Sequence, residues 1–272
     1  MKRMAALLLL SLSLCGCARG EGALTVTVFE MGKADAILLH TENAAVLIDA
    51  GTNKGGDLLA ARVLEKGVRR LDCVVLTHFD KDHVGGADKV LKALPVDRVL
   101  VPDYVSDSKQ YRQYAQAASE AGVAPETVKA ETAFDLDGVS YTVLPAGEPY
   151  SEENDLSLVV LAVHGQSRAL FAGDCENPRL EALTRRGGLQ ADLLKVPHHG
   201  DYERMLAPFL DEVMPVYAVL TDSDDEPADE RVTAMLEEMG AEVFSTRDGD
   251  AVFKSAGAGF APSLRGLLSV AI

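Results

Sequence analysis

The sequence predicts an α/β fold in which two β-sheets pack face to face with helices on their outer sides. Both halves of the chain begin with closely spaced strand-like runs and then alternate strands with helices. No low-complexity linker divides the halves. The chain has 272 residues, 47% of them hydrophobic, which is enough for one large core. We therefore expect one domain over residues 23–255.

The first half opens with three short strands. They are the apolar or alternating runs ALTVTVFEMG, DAILLH and AAVLIDAG, separated by turn residues. GGDLLAARVLEKG has helical spacing of its apolar residues, and CVVLTH is typical of a buried strand. HVGGADKVLKALP predicts a helix that ends at Pro95, DRVLVPD a strand, and SKQYRQYAQAASEAG an exposed helix that ends at Gly122.

The second half repeats this order. Four apolar runs predict strands: VSYTVLPA, LSLVVLAVHG, SRALFAGD and ADLLKVPHHG. The segment PRLEALTRRGG, before the last of these strands, predicts a helix. APFLDEVM, VYAVLTDS, ERVTAMLEEMG, AEVFSTRDG and DAVFKS complete the alternation. For residues 256–272 we expect a tail that is packed or forms a short helix.

Residues 1–16 have the layout of a signal peptide of the lipoprotein type. Lys2 and Arg3 precede the apolar run AALLLLSLSL, and LCGC follows. Small Gly16 before Cys17 resembles the bacterial lipobox, so lipidation is predicted at Cys17. The protein would then be an exported, membrane-anchored lipoprotein of the cell surface or periplasm. The alternative is a plain secretion signal cleaved near Ala18. Downstream, no apolar run predicts a transmembrane helix.

Charge and cysteine content exclude some classes of protein. The formal net charge is −16, and it becomes −18 when the two cations of the leader are removed. Such a surface repels polyanions and argues against a long nucleic-acid groove. Cys73 and Cys175, which remain in the folded part, are too few for a disulfide framework. We expect small core residues there, with a single bridge as the alternative.

The segment THFDKDHVGG, residues 77–86, concentrates groups that bind metals. In an extended chain His78, Asp80 and Asp82 would lie on one side, with His83 turning into the next helix. Close carboxylates raise each other's pKa unless a cation compensates them. Divalent transition ions accept this mixture of nitrogen and oxygen ligands. The segment therefore predicts a metal site.

Two further strand ends carry similar groups. Asp174 closes SRALFAGD, and His198 and His199 close ADLLKVPHHG. Because three strand ends supply ligands, we expect the loops that follow them to meet around one opening, which we call the mouth. His40 and His164 lie at a strand edge or turn and are interpreted as ordinary surface or core residues.

Three segments of the chain together resemble the motifs of the metallo-β-lactamase superfamily. They are THFDKDHVGG, NDLSLVVLAVHGQSRALFAGD and LLKVPHHG. The HxDxDH form resembles the hydrolase domain of ComEC-type competence proteins and its free-standing relatives. The resemblance runs from about Thr27 to VFSTRDGDAVF near residue 253. It implies an αββα four-layer sandwich of the metallo-β-lactamase type, with two divalent metal ions at one edge.

The resemblance also implies roles for individual residues. The metal ligands would be His78 and Asp80 for the first ion, Asp82, His83 and His198 for the second, and Asp174 between them. Asn154 and Ser157 match an N..S segment where other branches of the superfamily place a third histidine for the first ion. The first site would therefore be rich in oxygen ligands. The resemblance leaves the identity of the metal undecided between zinc and manganese. Asn154 and His199 are the expected substrate-binding residues, and Asp49 in LIDAG is expected to be structural.

The implied reaction is hydrolysis by a water shared between two metal ions. Asp82 and Asp174 are the expected catalytic residues, with Asp82 orienting the water or accepting its proton. Phosphodiesters are the first substrate class, and the charge favours a small nucleotide-like ester over a long polymer. The alternatives are a lactam, lactone or thioester, or a non-catalytic surface lipoprotein that binds metal. No protein partner is identifiable.

Two positions depart from the usual motifs of these relatives. Asp201 follows HHG where they read HHGS, and Glu226 in DEP replaces the histidine of a late GHP segment. Both changes are expected to add negative charge near the substrate cleft.

Overall fold

The computed structural model describes residues 22–263, and the elements below are those within this range. The signal peptide, Cys17 and residues 264–272 of the expected tail lie outside the described residues. The strands are β1 (Leu24–Val28), β2 (Ile37–His40), β3 (Ala45–Ile48), β4 (Cys73–Val75), β5 (Val99–Val101), β6 (Glu126–Thr127), β7 (Thr132–Leu136), β8 (Val139–Leu144), β9 (Val159–His164), β10 (Ser167–Phe171), β11 (Leu193–Lys195), β12 (Tyr217–Leu220), β13 (Glu242–Ser245), β14 (Ala251–Ser255) and β15 (Phe260–Pro262). The helices are α1 (Gly56–Glu65), α2 (Ala87–Ala93), α3 (Lys109–Ala121), α4 (Asn177–Arg186), α5 (Leu206–Val213) and α6 (Glu230–Glu238).

The strands form two sheets, and the C-terminal strands β14 and β15 return to the sheet of the first half. The first sheet has the order β15-β14-β1-β2-β3-β4-β5-β6, and the second has the order β13-β12-β11-β10-β9-β8-β7. β3, β4 and β5 are parallel to one another, and so are β10, β11, β12 and β13. Each sheet thus combines an antiparallel meander with a parallel part that is connected through helices.

Three apolar clusters hold the four layers together. One lies between the sheets and contains residues of both, such as Val46, Tyr141 and Phe253. A second packs the first sheet against α1, α2 and α3, and a third packs the second sheet against α4, α5 and α6. This is the αββα sandwich that the sequence predicts. Cys73 and Cys175 are buried as free thiols, as expected of small core residues.

Helix ends follow local sequence signals. Ser108 accepts a hydrogen bond from the backbone N–H of Tyr111 at the start of α3, and Gly122 ends this helix in the left-handed conformation (φ 71°). Asp229 caps α6 in the same way as Ser108 caps α3. These caps explain why both helices begin where the sequence indicates, and Gly122 explains the end of α3.

The sheet extends beyond the expected domain boundary at residue 255. Strand β15 pairs with β14 in antiparallel register, with Ser255 opposite Phe260. Residues 260–262 therefore belong to the first sheet, whereas the sequence indicated a packed tail or helix. No helix within residues 22–263 is long and apolar enough to cross a membrane.

The parallel strands bring the polar motifs to one edge of the sandwich. β3 and β4 end side by side, with Ile48 paired with Val75, and β10 and β11 end with Phe171 paired with Lys195. The backbone N–H of Leu158 donates to the carbonyl of Thr77 across the two sheets. Because the carboxyl ends of all these strands lie at the same edge, the loops that follow them meet there.

Candidate metal centre

His83, His199 and Asp174 converge on one point at this edge. Nε2 of His83 and Nε2 of His199 each lie 3.1 Å from Oδ2 of Asp174. The two imidazole nitrogens are 3.3 Å apart. Oδ2 of Asp82 lies 3.4 Å from Nε2 of His199. Four donor atoms from three different loops thus form a compact group.

The spacing of these donors suits a bound cation. Ligands about 2.1 Å from a zinc ion lie about 3.4 Å apart in a tetrahedral arrangement, close to the separations seen here. His83, His199 and Asp174 are almost completely buried. Two imidazole nitrogens this close inside a protein are otherwise unfavourable, because the rings must either share one proton or carry two adjacent positive charges. The arrangement fits a metal ion.

His78 has a further ring nitrogen, Nε2, that could bind a metal ion. Its ring packs against that of His83 with a centroid distance of 4.1 Å, and the side chain is fully buried. Nδ1 contacts the hydroxyls of Thr77 and Ser157, at 3.1 and 3.4 Å. Nε2 is buried without a hydrogen-bond partner among residues 22–263. A buried nitrogen of this kind costs free energy unless a ligand satisfies it, so His78 also fits a metal site.

Asp49 fixes the orientation of His83. The carboxylate is fully buried and accepts from Nδ1 of His83 at 2.8 Å. It also accepts from the backbone N–H of Thr77 at 2.8 Å and from its hydroxyl at 2.6 Å. A carboxylate that holds the second nitrogen of a metal-binding histidine directs the first nitrogen to the metal. Asp49 thus has the structural position expected from LIDAG.

A buried network behind His199 was not anticipated from the sequence. Lys195 is completely buried and pairs with Asp35 at 2.6 Å and with Asp174 at 3.4 Å. Asp35 accepts from the hydroxyl of Thr221 at 2.7 Å, and this hydroxyl lies 2.8 Å from Nδ1 of His199. The one sequence signal was the lysine inside the buried strand run LLKVPHHG, since lysine is almost never fully buried unless it is paired.

The oxygens of Asp35 are occupied by Lys195 and Thr221, and the residue lies behind the donor group. It approaches Nδ1 of His199 to 3.3 Å, on the side of the ring away from Asp174. Asp35 therefore orients the histidine, although one of its oxygens also lies within 4.8 Å of ligand atoms of His83, Asp174 and His199.

Opposite charges decide the protonation states at the centre. Burial alone would lower the pKa of His199, but Asp174 and Asp35 raise it to about 10. Burial would likewise lower the pKa of His83, and Asp174 and Asp49 raise it well above the ordinary value. Burial and the charge of His83 lower the pKa of His78 to about 3. Without a metal ion, His83 and His199 are therefore held as imidazolium groups beside carboxylates, while His78 is neutral.

The structure places His198 and His199 the other way round from the sequence assignment. His199, expected to bind substrate, is 1% exposed and belongs to the donor group. His198, expected to bind metal, is 23% exposed and faces Glu176 and Glu203 at 3.8 and 3.7 Å. Both histidines have left-handed backbone conformations, with φ 50° and 55°. The turn at these two residues decides which ring enters the donor group, and the alternation of side chains in an extended strand does not predict which one does.

The remaining sequence-assigned residues lie at the mouth. Asp80 is exposed, and Asp82 is partly exposed while touching His199. Partial burial and the neighbouring Asp82 raise the pKa of Asp80. Asn154 donates to Glu176 at 2.8 Å and lies 3.5 Å from Nε2 of His198. These groups surround the opening through which a substrate would reach the donor group.

The two departures from the usual motifs have different surroundings. Asp201 pairs with Lys33 at 2.8 Å, so a cation from the β1–β2 loop offsets its charge. Glu226 is exposed in the loop after β12, where its backbone N–H donates to Ser223. The mouth is nevertheless acidic, since Asp80, Glu176 and Glu203 have no ion pair with lysine or arginine within residues 22–263.

The sequence model of the metallo-beta-lactamase superfamily matches residues 31–220, which is more than half of the chain. The chain belongs to the metallo-beta-lactamase superfamily.

The sequence is similar to those of curated proteins from bacterial competence systems. It is 29% identical over 226 residues to ComE operon protein 3 of Bacillus subtilis, covering 75% of the chain and 29% of that protein. It is 30% identical over 203 residues to competence protein ComA of Neisseria gonorrhoeae, covering 73% of the chain and 27% of the relative. The chain thus spans less than a third of the length of these relatives.

Solved structures show the same fold at low sequence identity. The metallo-beta-lactamase fold protein YhfI of Bacillus subtilis superposes with a TM-score of 0.62 at 12% identity, covering 86% of this chain and all of that one. A metal-dependent hydrolase of Parabacteroides distasonis gives a TM-score of 0.53 at 14% identity, covering 82% and 93% of the two chains. These solved structures show that the chain has the metallo-beta-lactamase fold.

Proposed function

We propose that this protein is an exported metal-dependent hydrolase that cleaves phosphodiester bonds in small or oligomeric nucleotide-like substrates. The observation that carries the proposal is the buried convergence of His83, His199 and Asp174, beside the unpartnered nitrogen of His78. Relatives named for competence support a phosphate-containing substrate.

The proposal includes two metal ions. His83, His199, Asp82 and Asp174 would hold one ion, and His78 and Asp80, with Asp174 beside them, would hold the other. A pair of divalent cations would lower the pKa of a water molecule and stabilise negative charge on the phosphate. The mixed nitrogen and oxygen donors suit zinc or manganese.

The chain's own residues supply orientation and proton transfer. Asp49 and Asp35 hold His83 and His199, and Lys195 holds Asp174. Asp82 is 23% exposed, so its carboxylate reaches both the donor group and the mouth. It is placed to accept a proton from an attacking water and to pass it to solvent. Asn154, at the rim, would orient the substrate.

The charge of the protein favours a small substrate. Unpaired acidic groups surround the mouth, and the chain carries a formal net charge of −16. A polyanion would be repelled over many phosphates, whereas a small diester meets this repulsion only once. The proposed signal peptide and the lipid anchor at Cys17 would place the reaction at the cell envelope.

The test is hydrolysis by the purified chain loaded with Mn²⁺ or Zn²⁺. Bis(p-nitrophenyl) phosphate, nitrocefin and a chromogenic thioester represent the three bond classes. We expect turnover of the phosphodiester and its loss in the isosteric variant Asp174→Asn. Asp211→Asn, an exposed carboxylate on α5, is the matched control that should keep the activity. Turnover of nitrocefin or the thioester alone, or equal phosphodiester turnover in both variants, would refute the proposal.

A further inference from the structure

A second group of metal-binding side chains lies beside the candidate metal centre. It consists of Glu176, which precedes α4, His198, and Glu203, which precedes α5. Nδ1 of His198 lies 3.8 Å from Oε1 of Glu176 and 3.7 Å from Oε1 of Glu203. All three side chains are half-buried. We call this group the outer cluster.

The outer cluster contains an unsatisfied donor. Nδ1 of His198 is buried and has no hydrogen-bond partner among the described residues. The two carboxylates are too far away for hydrogen bonds, which need about 3.2 Å or less. Donors about 2.1 Å from one ion can lie up to about 4.2 Å apart across it, so a single cation could reach all three groups. A buried nitrogen without a partner, beside two carboxylates, suits an ion.

Charge at the outer cluster also calls for a cation. Neither Glu176 nor Glu203 forms an ion pair with lysine or arginine within residues 22–263. The His198 imidazole is their nearest basic group, and burial together with the charge of Glu176 raises the pKa of Glu203. The side chains are nevertheless held in place, because Asn154 donates to Glu176 and Asn177 donates to Glu203. These amides position the carboxylates and supply no charge.

The outer cluster is separate from the donor group of His83, His199 and Asp174. Among residues 22–263 no ring nitrogen of His198 lies within 4.0 Å of a carboxylate oxygen of Asp174, whereas Nε2 of His199 lies 3.1 Å from Oδ2 of this residue. Nε2 of His198 faces Asn154 and Asp201, at 3.5 and 3.8 Å. The two adjacent histidines thus serve different clusters.

We infer that Glu176, His198 and Glu203 form an additional divalent-cation site at the mouth, distinct from the candidate metal centre. One imidazole nitrogen and two carboxylates favour zinc or manganese over calcium or magnesium. An ion there would offset the acidic rim that a negatively charged substrate must pass.

The experiment counts ions bound to the metal-depleted full chain by equilibrium dialysis against Zn²⁺ or Mn²⁺, followed by elemental analysis. The test variant is Glu176→Gln/Glu203→Gln, which keeps the amide contacts because glutamine still has an acceptor oxygen. The control is Glu181→Gln/Glu237→Gln, which removes the same charge from exposed positions on α4 and α6. We expect the test variant to bind one ion fewer per chain than the control.

A third variant, His83→Ala/Asp174→Asn, separates this inference from the proposed function. It should lose the ions of the candidate metal centre and keep the outer ion, and adding the two glutamine substitutions should remove that ion too. Equal ion counts in the test and control variants, with circular dichroism showing both folded, would overturn the outer site. If His83→Ala/Asp174→Asn instead binds as many ions as the unmodified chain, the result counts against the candidate metal centre and not against the outer site.

Discussion

At the scale of single residues, the assignment of neighbouring histidines depends on backbone geometry. His198 and His199 are adjacent, and both are left-handed, yet only His199 reaches Asp174. Its second nitrogen is held by Thr221 and Asp35. A ligand that is oriented from behind loses little entropy when it binds a metal.

The two histidines should therefore respond differently to substitution. We expect His199→Ala to lower metal-dependent turnover by more than about 100-fold, because it removes a ligand and leaves the network of Asp35 open. His198→Ala should cause a clearly smaller loss. Steady-state kinetics at saturating metal measure both. A larger loss in His198→Ala would reverse the assignment made from the structure.

Lys195 offers a second test at this scale. Lys195→Met would leave Asp35 and Asp174 buried without their cation, so unfolding free energy should fall by about 3–5 kcal/mol. Lys129→Met, which breaks the exposed pair with Asp103, should cost less than about 1 kcal/mol. Urea denaturation of metal-free protein measures both. Similar losses in the two variants would show that the buried pair contributes no more than a surface pair.

At the scale of elements, the centre depends on tight loops after parallel strands. The loop after β4 returns directly into α2, and Gly85 and Gly86 lie where it passes the loop after β3. A Cβ on Gly85 would lie 2.1 Å from the carbonyl of Lys81 and 2.5 Å from the backbone nitrogen of Asn53. Only glycine fits this approach, which explains the paired glycines after the HxDxDH motif.

Gly85→Ala should therefore destabilise the protein by about 1–3 kcal/mol or more, because backbone atoms must move. The shift should also lower metal affinity, since His83 precedes this turn by two positions. Gly22→Ala is the control, because a Cβ there has no atom within 4 Å. Thermal unfolding and metal titration are the measurements. Unchanged values in Gly85→Ala would show that the loop can relax.

At the scale of the whole molecule, the centre joins the two sheets. His78 and His83 follow the first sheet, and Asp174 and His199 follow the second. A metal ion held by both would therefore link the halves of the sandwich. Binding to the folded state alone stabilises it by mass action.

Metal removal should thus lower stability. With free metal at 100 times the dissociation constant, the linkage amounts to about 2.7 kcal/mol at one site, and a chelator should remove it. Calorimetry with and without chelator, followed by metal addition, measures the loss and its recovery. Asp174→Asn should show a smaller response. Identical unfolding curves in all conditions would indicate that no metal bridges the two sheets.

Local patterns in the sequence determined the fold class and the site's main motifs. Strand and helix periodicity, with caps such as Ser108 and Gly122, depends on neighbouring residues and can be read from them. The concentration of His78, Asp82 and His83 at a strand end, together with Asp174, indicated the metal site for the same reason.

Only the tertiary structure decided which side chains meet. Asp35 and Lys195 are distant in sequence from each other, and their pairing depends on β11 lying beside the β1–β2 loop. The left-handed turn at His198 and His199 overrides strand alternation, so sequence alone could not tell which ring enters the donor group. The pairing of β15 with β14 likewise depends on a free sheet edge. Such contacts follow from packing over long sequence separations, which local propensity does not encode.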